Sequence, residues 1–126
     1  MALPPNLITN KAAKLPGDYR KQESIPRAKR QRNKTEWRYS DELEFQRLAG
    51  EILQWEFEGL RFKLADGAWY KPDFAVWLPD GRLRLVEVKG FRREAAIVRF
   101  KVARDKYPHC EWLMVQRVKG AWERIF

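Results

Sequence analysis

Only one cysteine, Cys110, and one histidine, His109, occur among the 126 residues. A single thiol excludes an internal disulfide and a cysteine-based zinc cluster, and Cys110 reads as a small, semi-buried residue. One imidazole leaves little for a histidine-rich metal centre or a Ser-His-Asp triad. No run of about 18 apolar residues is present, so no membrane partner is expected, and no signal-like segment opens the sequence. The expectation is a protein working in the cytoplasm. Acidic residues are the minority charge, 17 against 26 Lys and Arg, for a formal net charge of +9. In a small domain that excess favours a polyanionic partner, of which nucleic acid is the commonest.

Hydrophobic residues make up 44% and aromatics 13%, with six Trp, enough for one modest core. The basic charge is uneven. Residues 1–32 hold eight basic and two acidic residues together with Pro4, Pro5, Pro16, Gly17 and Pro26, and show no sustained hydrophobic period. This segment reads as a basic, flexible or loosely docked arm ending in Arg27-Ala28-Lys29-Arg30-Gln31-Arg32. It is either a solvated tail or a phosphate-contacting element that makes binding salt-dependent.

The folded domain is expected over residues 33–126. A helix from Thr35 to about Gln54 would place Trp37, Phe45, Leu48, Ala49 and Ile52 near one face. Asn33 followed by Glu36 forms a capping-box pattern, with Ser40 as a competing start. Strands follow at Leu60 to Leu64, Trp69 to Leu78 and Arg82 to Lys89, separated by the turn signals Asp66-Gly67 and Pro79-Asp80-Gly81. A second helix from Glu94 to Tyr107, stopped by Pro108, leads to a strand from Glu111 to Gln116. Lys119-Gly120 lets the tail turn back as a short further strand. The order αβββαβ predicts an α/β (α+β) domain with a mixed central sheet flanked by helices.

Carboxylates are rare within apolar strands because an unpaired buried charge is costly. Asp73 and Glu87 nevertheless occupy adjacent strands, and Lys89 follows Glu87 on the same face at the strand period of two. A type I turn at Leu78-Pro79-Asp80-Gly81 would use Pro79 at its preferred position and Gly81 as the left-handed residue of a three-residue loop. Leu78 would then pair with Arg82, and Asp73 would face Glu87 with Cβ atoms about 4.5–5.5 Å apart. A two-residue Asp-Gly loop would shift the register by one and put the carboxylates on opposite faces. We expect the three-residue register. Two opposed carboxylates require a proton or a compensating cation, supplied in part by Lys89 and otherwise by a metal. Oxygen-only ligation favours Mg²⁺ or Mn²⁺, which acidifies water and stabilises charge on phosphate. The plainer alternative is a cross-strand ion pair.

Pro72-Asp73, a spacing of fourteen, and Glu87-Val88-Lys89-Gly90 together resemble the PD-(D/E)xK nuclease signature. The element order resembles that superfamily's restriction-endonuclease-like core. A longer likeness runs from Asn33 to Pro108. It takes in Asn33-Lys34-Thr35-Glu36, Gly50-Glu51-Ile52, Trp55, Phe57-Glu58, Tyr70, Pro72-Asp73-Phe74, Asp80-Gly81, Glu87-Val88-Lys89-Gly90-Phe91 and the Lys101 region. Over this stretch the chain is similar to small phage and prophage endonucleases related to Holliday junction resolvases of the endonuclease I type. The resemblance implies a Mg²⁺-dependent endodeoxyribonuclease, acting on branched DNA in a bacterial or phage-infected cell. Resolving a four-way junction takes two coordinated cuts, which implies a homodimer.

By that resemblance Asp73, Glu87 and the Val88 carbonyl hold the metal, Lys89 positions the attacking water, and Glu36 completes the acidic set. Glu36 is also accounted for as a helix cap, with Glu44 as the alternative acid, and Glu58 fits the pattern without an assigned step. Arg99 stands where the family has lysine and Lys101 is retained. These two, with Arg92, Arg93, Lys29, Arg30 and Arg32, are the DNA-contact candidates. Trp37, Trp55 and Trp112 are expected in the core, and Trp69 is open to base stacking. The competing functions are a non-catalytic DNA-binding module of the same fold and a restriction-like or nonspecific nuclease.

Overall fold

A computed structural model describes residues 19–21, 32–90 and 94–126. The elements are β1 (Tyr19–Lys21), α1 (Lys34–Leu48), β2 (Gln54–Phe57), β3 (Leu60–Ala65), β4 (Ala68–Tyr70), β5 (Phe74–Trp77), β6 (Leu83–Val88), α2 (Glu94–Lys106), β7 (Glu111–Val118) and β8 (Ala121–Arg124). The protein is an α+β fold with a mixed five-stranded sheet, ordered β2-β5-β6-β7-β8, flanked by two helices. Only β6 and β7 run parallel, joined across α2; the other neighbours are antiparallel. A second sheet, β1-β3-β4, is antiparallel throughout. Among the described residues no helix is long and apolar enough to cross a membrane.

Helix α1 begins where the capping pattern predicts. Asn33 Oδ1 accepts from the Glu36 amide at 2.8 Å, and the Glu36 side chain accepts from the Asn33 amide at 2.9 Å. Its end is earlier than expected. Gly50 takes φ +79, the Gly50 amide donates to Arg47 O at 3.1 Å and the Glu51 amide to Gln46 O at 2.8 Å. These are the paired bonds of a Schellman stop. The released chain forms β2 beside β5, an element not read from the sequence.

The buried face of α1 is also a correction. Glu36, Tyr39, Ser40 and Leu43 are buried, whereas Trp37, Phe45 and Leu48 are 51%, 73% and 71% exposed. The inward stripe mixes two polar with two apolar residues, so hydropathy alone pointed to the wrong side.

Strands β5 and β6 sort their side chains by parity. Phe74, Val76, Leu78, Val86 and Val88 join Tyr39 and Leu43 of α1 in one cluster. Ala75, Trp77, Leu83 and Leu85 join Leu60, Phe62 and Tyr70 of the smaller sheet and Phe100 and Ala103 of α2 in the other. The expected strand from Trp69 to Leu78 is in fact two strands in different sheets. The break falls at Lys71-Pro72-Asp73, where Pro72 has no amide to extend a ladder. The segment read as an arm contributes β1, whose Tyr19, Arg20 and Lys21 pair with Phe62, Arg61 and Leu60.

The hairpin between β5 and β6 has the three-residue loop. Leu78 N donates to Arg82 O and Gly81 N to Leu78 O, both at 2.9 Å, with Gly81 at φ +91. The tail also turns back as anticipated, with Lys119 and Gly120 both at positive φ between β7 and β8, the geometry of a two-residue hairpin turn.

Candidate active site

The β5–β6 register pairs Phe74 with Val86 and Trp77 with Leu83. Continued by one residue, it sets Asp73 opposite Glu87, on the face carrying Ala75 and Leu85. Asp73 is 5% exposed, and its Oδ2 accepts from the Val88 amide at 2.8 Å. The register anticipated from the turn therefore holds.

An open cleft of about 360 Å³ lies over this pair, lined by residues from both layers of the fold. Asp73, Glu87 and Val88 line it from the hairpin, Glu36 and Asn33 from the start of α1, and Arg99 and Ala96 from α2. Glu58, Trp69, Tyr70 and Lys71 complete the wall. Glu36 is 3% exposed, and the inverted face of α1 is what turns it inward. Its capping bond and its place in the cleft coexist.

Several wall residues were given no role by sequence reasoning. Tyr70, at the end of β4, donates its hydroxyl to Glu87 Oε1 at 2.5 Å. Burial, and then the negative charge of Glu87, hold this hydroxyl well above the usual phenol range. Glu58, buried and at φ +52, forms an ion pair of 3.2 Å with Lys71, and its amide donates to Asp73 O at 2.7 Å. Local sequence could not reveal these partnerships, because they join the two sheets or cross the Pro72 break. Lone Tyr-Lys and Phe-Glu pairs carry no periodic signal.

The remaining candidates separate. Lys89 is half-buried at the end of β6, and its amide donates to Val115 O at 2.7 Å; it is not among the residues lining the cleft. Lys101 is directed elsewhere on α2, with Nζ 4.6 Å from the Phe126 ring. Arg32 lies over Trp37 at 3.9 Å, also faces Trp55 and Phe57, and donates to Ser40 Oγ at 2.9 Å. Glu44 is away from the cleft: bonds from Arg47 and the Trp55 indole hold it down to about 2. Lys29, Arg30, Arg92 and Arg93 lie outside the described residues. Trp112 is buried in the core and Trp55 half-buried, but Trp37 is exposed. Trp69 borders the cleft with the Arg61 guanidinium 4.6 Å from its ring.

The lining holds four carboxylates, Glu36, Glu58, Asp73 and Glu87, against two cations, Lys71 and Arg99. Among the described residues no three His, Cys, Asp or Glu side chains are gathered closely enough to form a metal cage. An all-oxygen pair suits Mg²⁺ in particular, which keeps several waters and is commonly held by one or two carboxylates plus substrate phosphate. The donor chemistry thus fits a hard divalent cation.

No curated protein and no solved structure matches the chain. A family model described as a protein of unknown function, DUF1064, matches residues 19–120, from β1 to the turn before β8, and the chain belongs to that family.

Proposed function

We propose that the protein is a Mg²⁺-dependent endonuclease that hydrolyses DNA phosphodiester bonds, with PD-(D/E)xK-type chemistry and a preference for branched DNA. The observation that carries this reading is the register of the β5–β6 hairpin, which opposes Asp73 and Glu87 within a cleft also lined by Glu36. An anionic cleft in a chain of net charge +9 is difficult to explain as a simple phosphate-binding groove. With Glu58 paired to Lys71, the other three carboxylates outnumber Arg99 and would repel a phosphate unless a cation stood between them.

Asp73 and Glu87 would hold that cation, with the Val88 carbonyl as a third oxygen. The bound ion would supply Lewis-acid stabilisation of the charge that builds on the scissile phosphate. The Val88 amide donates to Asp73 Oδ2 and helps to fix that carboxylate. Lys89, two positions beyond Glu87, would orient the attacking water and offset developing negative charge. Glu36 would complete the acidic set from α1, and Arg99 would contact a phosphate at the cleft mouth. The cytoplasm of a bacterial or phage-infected cell supplies the substrate, and paired cuts on a four-way junction would require two copies of the chain.

Cleavage of supercoiled plasmid and of synthetic four-way junctions tests the reading. Activity should require Mg²⁺ or Mn²⁺ and vanish with EDTA. Asp73→Ala and Lys89→Ala should each lose on the order of 10²–10⁴-fold, the usual effect of removing a group acting in the transition state. Cleavage that survives chelation or either substitution rejects the mechanism. Equal cutting of linear duplex and junction rejects the branched-DNA preference alone.

A further inference from the structure

We infer that Tyr70 is a positioning residue for Glu87: its hydroxyl sets the orientation in which that carboxylate meets the divalent cation. The inference rests on the metal-dependent reading of the cleft given above.

The bond from Tyr70 to Glu87 crosses between the two sheets, from the end of β4 to β6, and spans 17 positions of sequence. Its donor is fixed from behind. Tyr70 is 4% exposed, and its ring lies 6.4 Å from that of Trp112, tilted by 31°. Trp112 is itself held by its indole N–H donating to Tyr107 O at 2.8 Å. The ring therefore cannot move without disturbing the core, and the hydroxyl is presented to Glu87 from a rigid base.

A second tyrosine shows what an architectural hydroxyl does in this fold. Tyr107 is fully buried, and its hydroxyl donates to the backbone carbonyl of Lys63 at 2.8 Å, which satisfies the group and ties α2's end to β3. Tyr70 occupies the same core cluster but directs its hydroxyl to a carboxylate of the cleft. Hydrogen bonds to an ionised acceptor are shorter and stronger than neutral ones. Asp73 receives the Val88 amide at 2.8 Å, so each carboxylate of the opposed pair has a fixed donor. Such outer partners orient metal ligands, and their removal typically weakens metal binding or activity by about 10–100-fold.

The test compares the full chain with Tyr70→Phe, Glu87→Gln and the double variant. Mn²⁺ binding is followed by loss of the free-ion electron paramagnetic resonance signal, alongside junction cleavage and thermal unfolding. Tyr70→Phe keeps the ring and should bind Mn²⁺ about 10-fold or more weakly, lowering kcat while KM for DNA is unchanged. If Tyr70 acts through Glu87, the double variant binds no more weakly than Glu87→Gln alone. Wild-type affinity in Tyr70→Phe, or independent losses that multiply in the double variant, overturns the inference and leaves the nuclease reading intact. Wild-type protein that binds no Mn²⁺ overturns both. Should Tyr70→Phe not fold, the Tyr70 hydroxyl proton of the wild type gives the answer. Its NMR resonance should shift on titration with Mg²⁺, and an unmoved resonance rejects the inference.

Discussion

The carboxylate of Glu36 closes the N-terminus of α1 and also lines the cleft, so its two roles need to be separated chemically. Glutamine serves the capping box as well as glutamate does, because the amide oxygen still accepts the Asn33 N–H, but it removes the charge. Glu36→Gln should therefore unfold within a few degrees of wild type yet lose on the order of 10²-fold or more in Mg²⁺-dependent cleavage. Asn33→Ala should do the reverse, costing about 1 kcal/mol of stability with kcat nearly unchanged. Chemical denaturation paired with cleavage rates checks both; full activity in Glu36→Gln would reduce Glu36 to a cap. At this scale Asp73 and Glu87 were legible because charge inside an apolar strand is anomalous. Tyr70 and Glu58 entered only through the family likeness and without a role, and Lys71 not at all, because each is ordinary in type and significant only through a partner distant in sequence.

Turn chemistry was the most legible element-level signal. Pro79-Asp80-Gly81 specified a loop length, the loop length a register, and the register placed Asp73 across from Glu87. Helix polarity was the least legible, because α1 buries Glu36 and Ser40 and leaves Trp37, Phe45 and Leu48 exposed. Hydropathy assigns those residues to the opposite faces. The Pro72 break and the short β1 and β2 escaped for a related reason: three or four residues carry too little alternation to be distinguished from a loop. The hairpin's importance can be tested by its length. Gly81→Ala places a side chain at φ +91 and should cost about 1–2 kcal/mol while cleavage persists below the lowered melting temperature. Deleting Asp80 is different in kind, since a one-residue slip turns every following side chain to the other face. That variant should lose Mn²⁺ binding and cleavage even where circular dichroism shows it folded; retained Mn²⁺ affinity would show that the opposed pair is not the metal site.

At the scale of the whole molecule, a basic chain carries an acidic cleft. The chain carries +9, yet the cleft lining has twice as many carboxylates as cations. DNA affinity would then come from basic residues outside the cleft, and only the scissile phosphate would enter the acidic region. Arg32, the last residue of the basic run, packs on the Trp37 ring and donates to Ser40 Oγ. Arg27, Lys29 and Arg30 lie outside the described residues and would be the run's phosphate contacts under the nuclease reading. Each phosphate that is no longer neutralised should reduce the slope of log affinity against log salt by about 0.9. Replacing all three with alanine should therefore flatten the slope by up to about 2.7, measured by fluorescence anisotropy on a labelled junction across a salt series. Cleavage at low salt and saturating enzyme should be unaffected, because charge that serves DNA affinity alone takes no part in the chemical step. An unchanged slope would make the run a solvated tail and move the electrostatic footprint to α2, where Arg99→Ala would then have to supply the missing salt dependence.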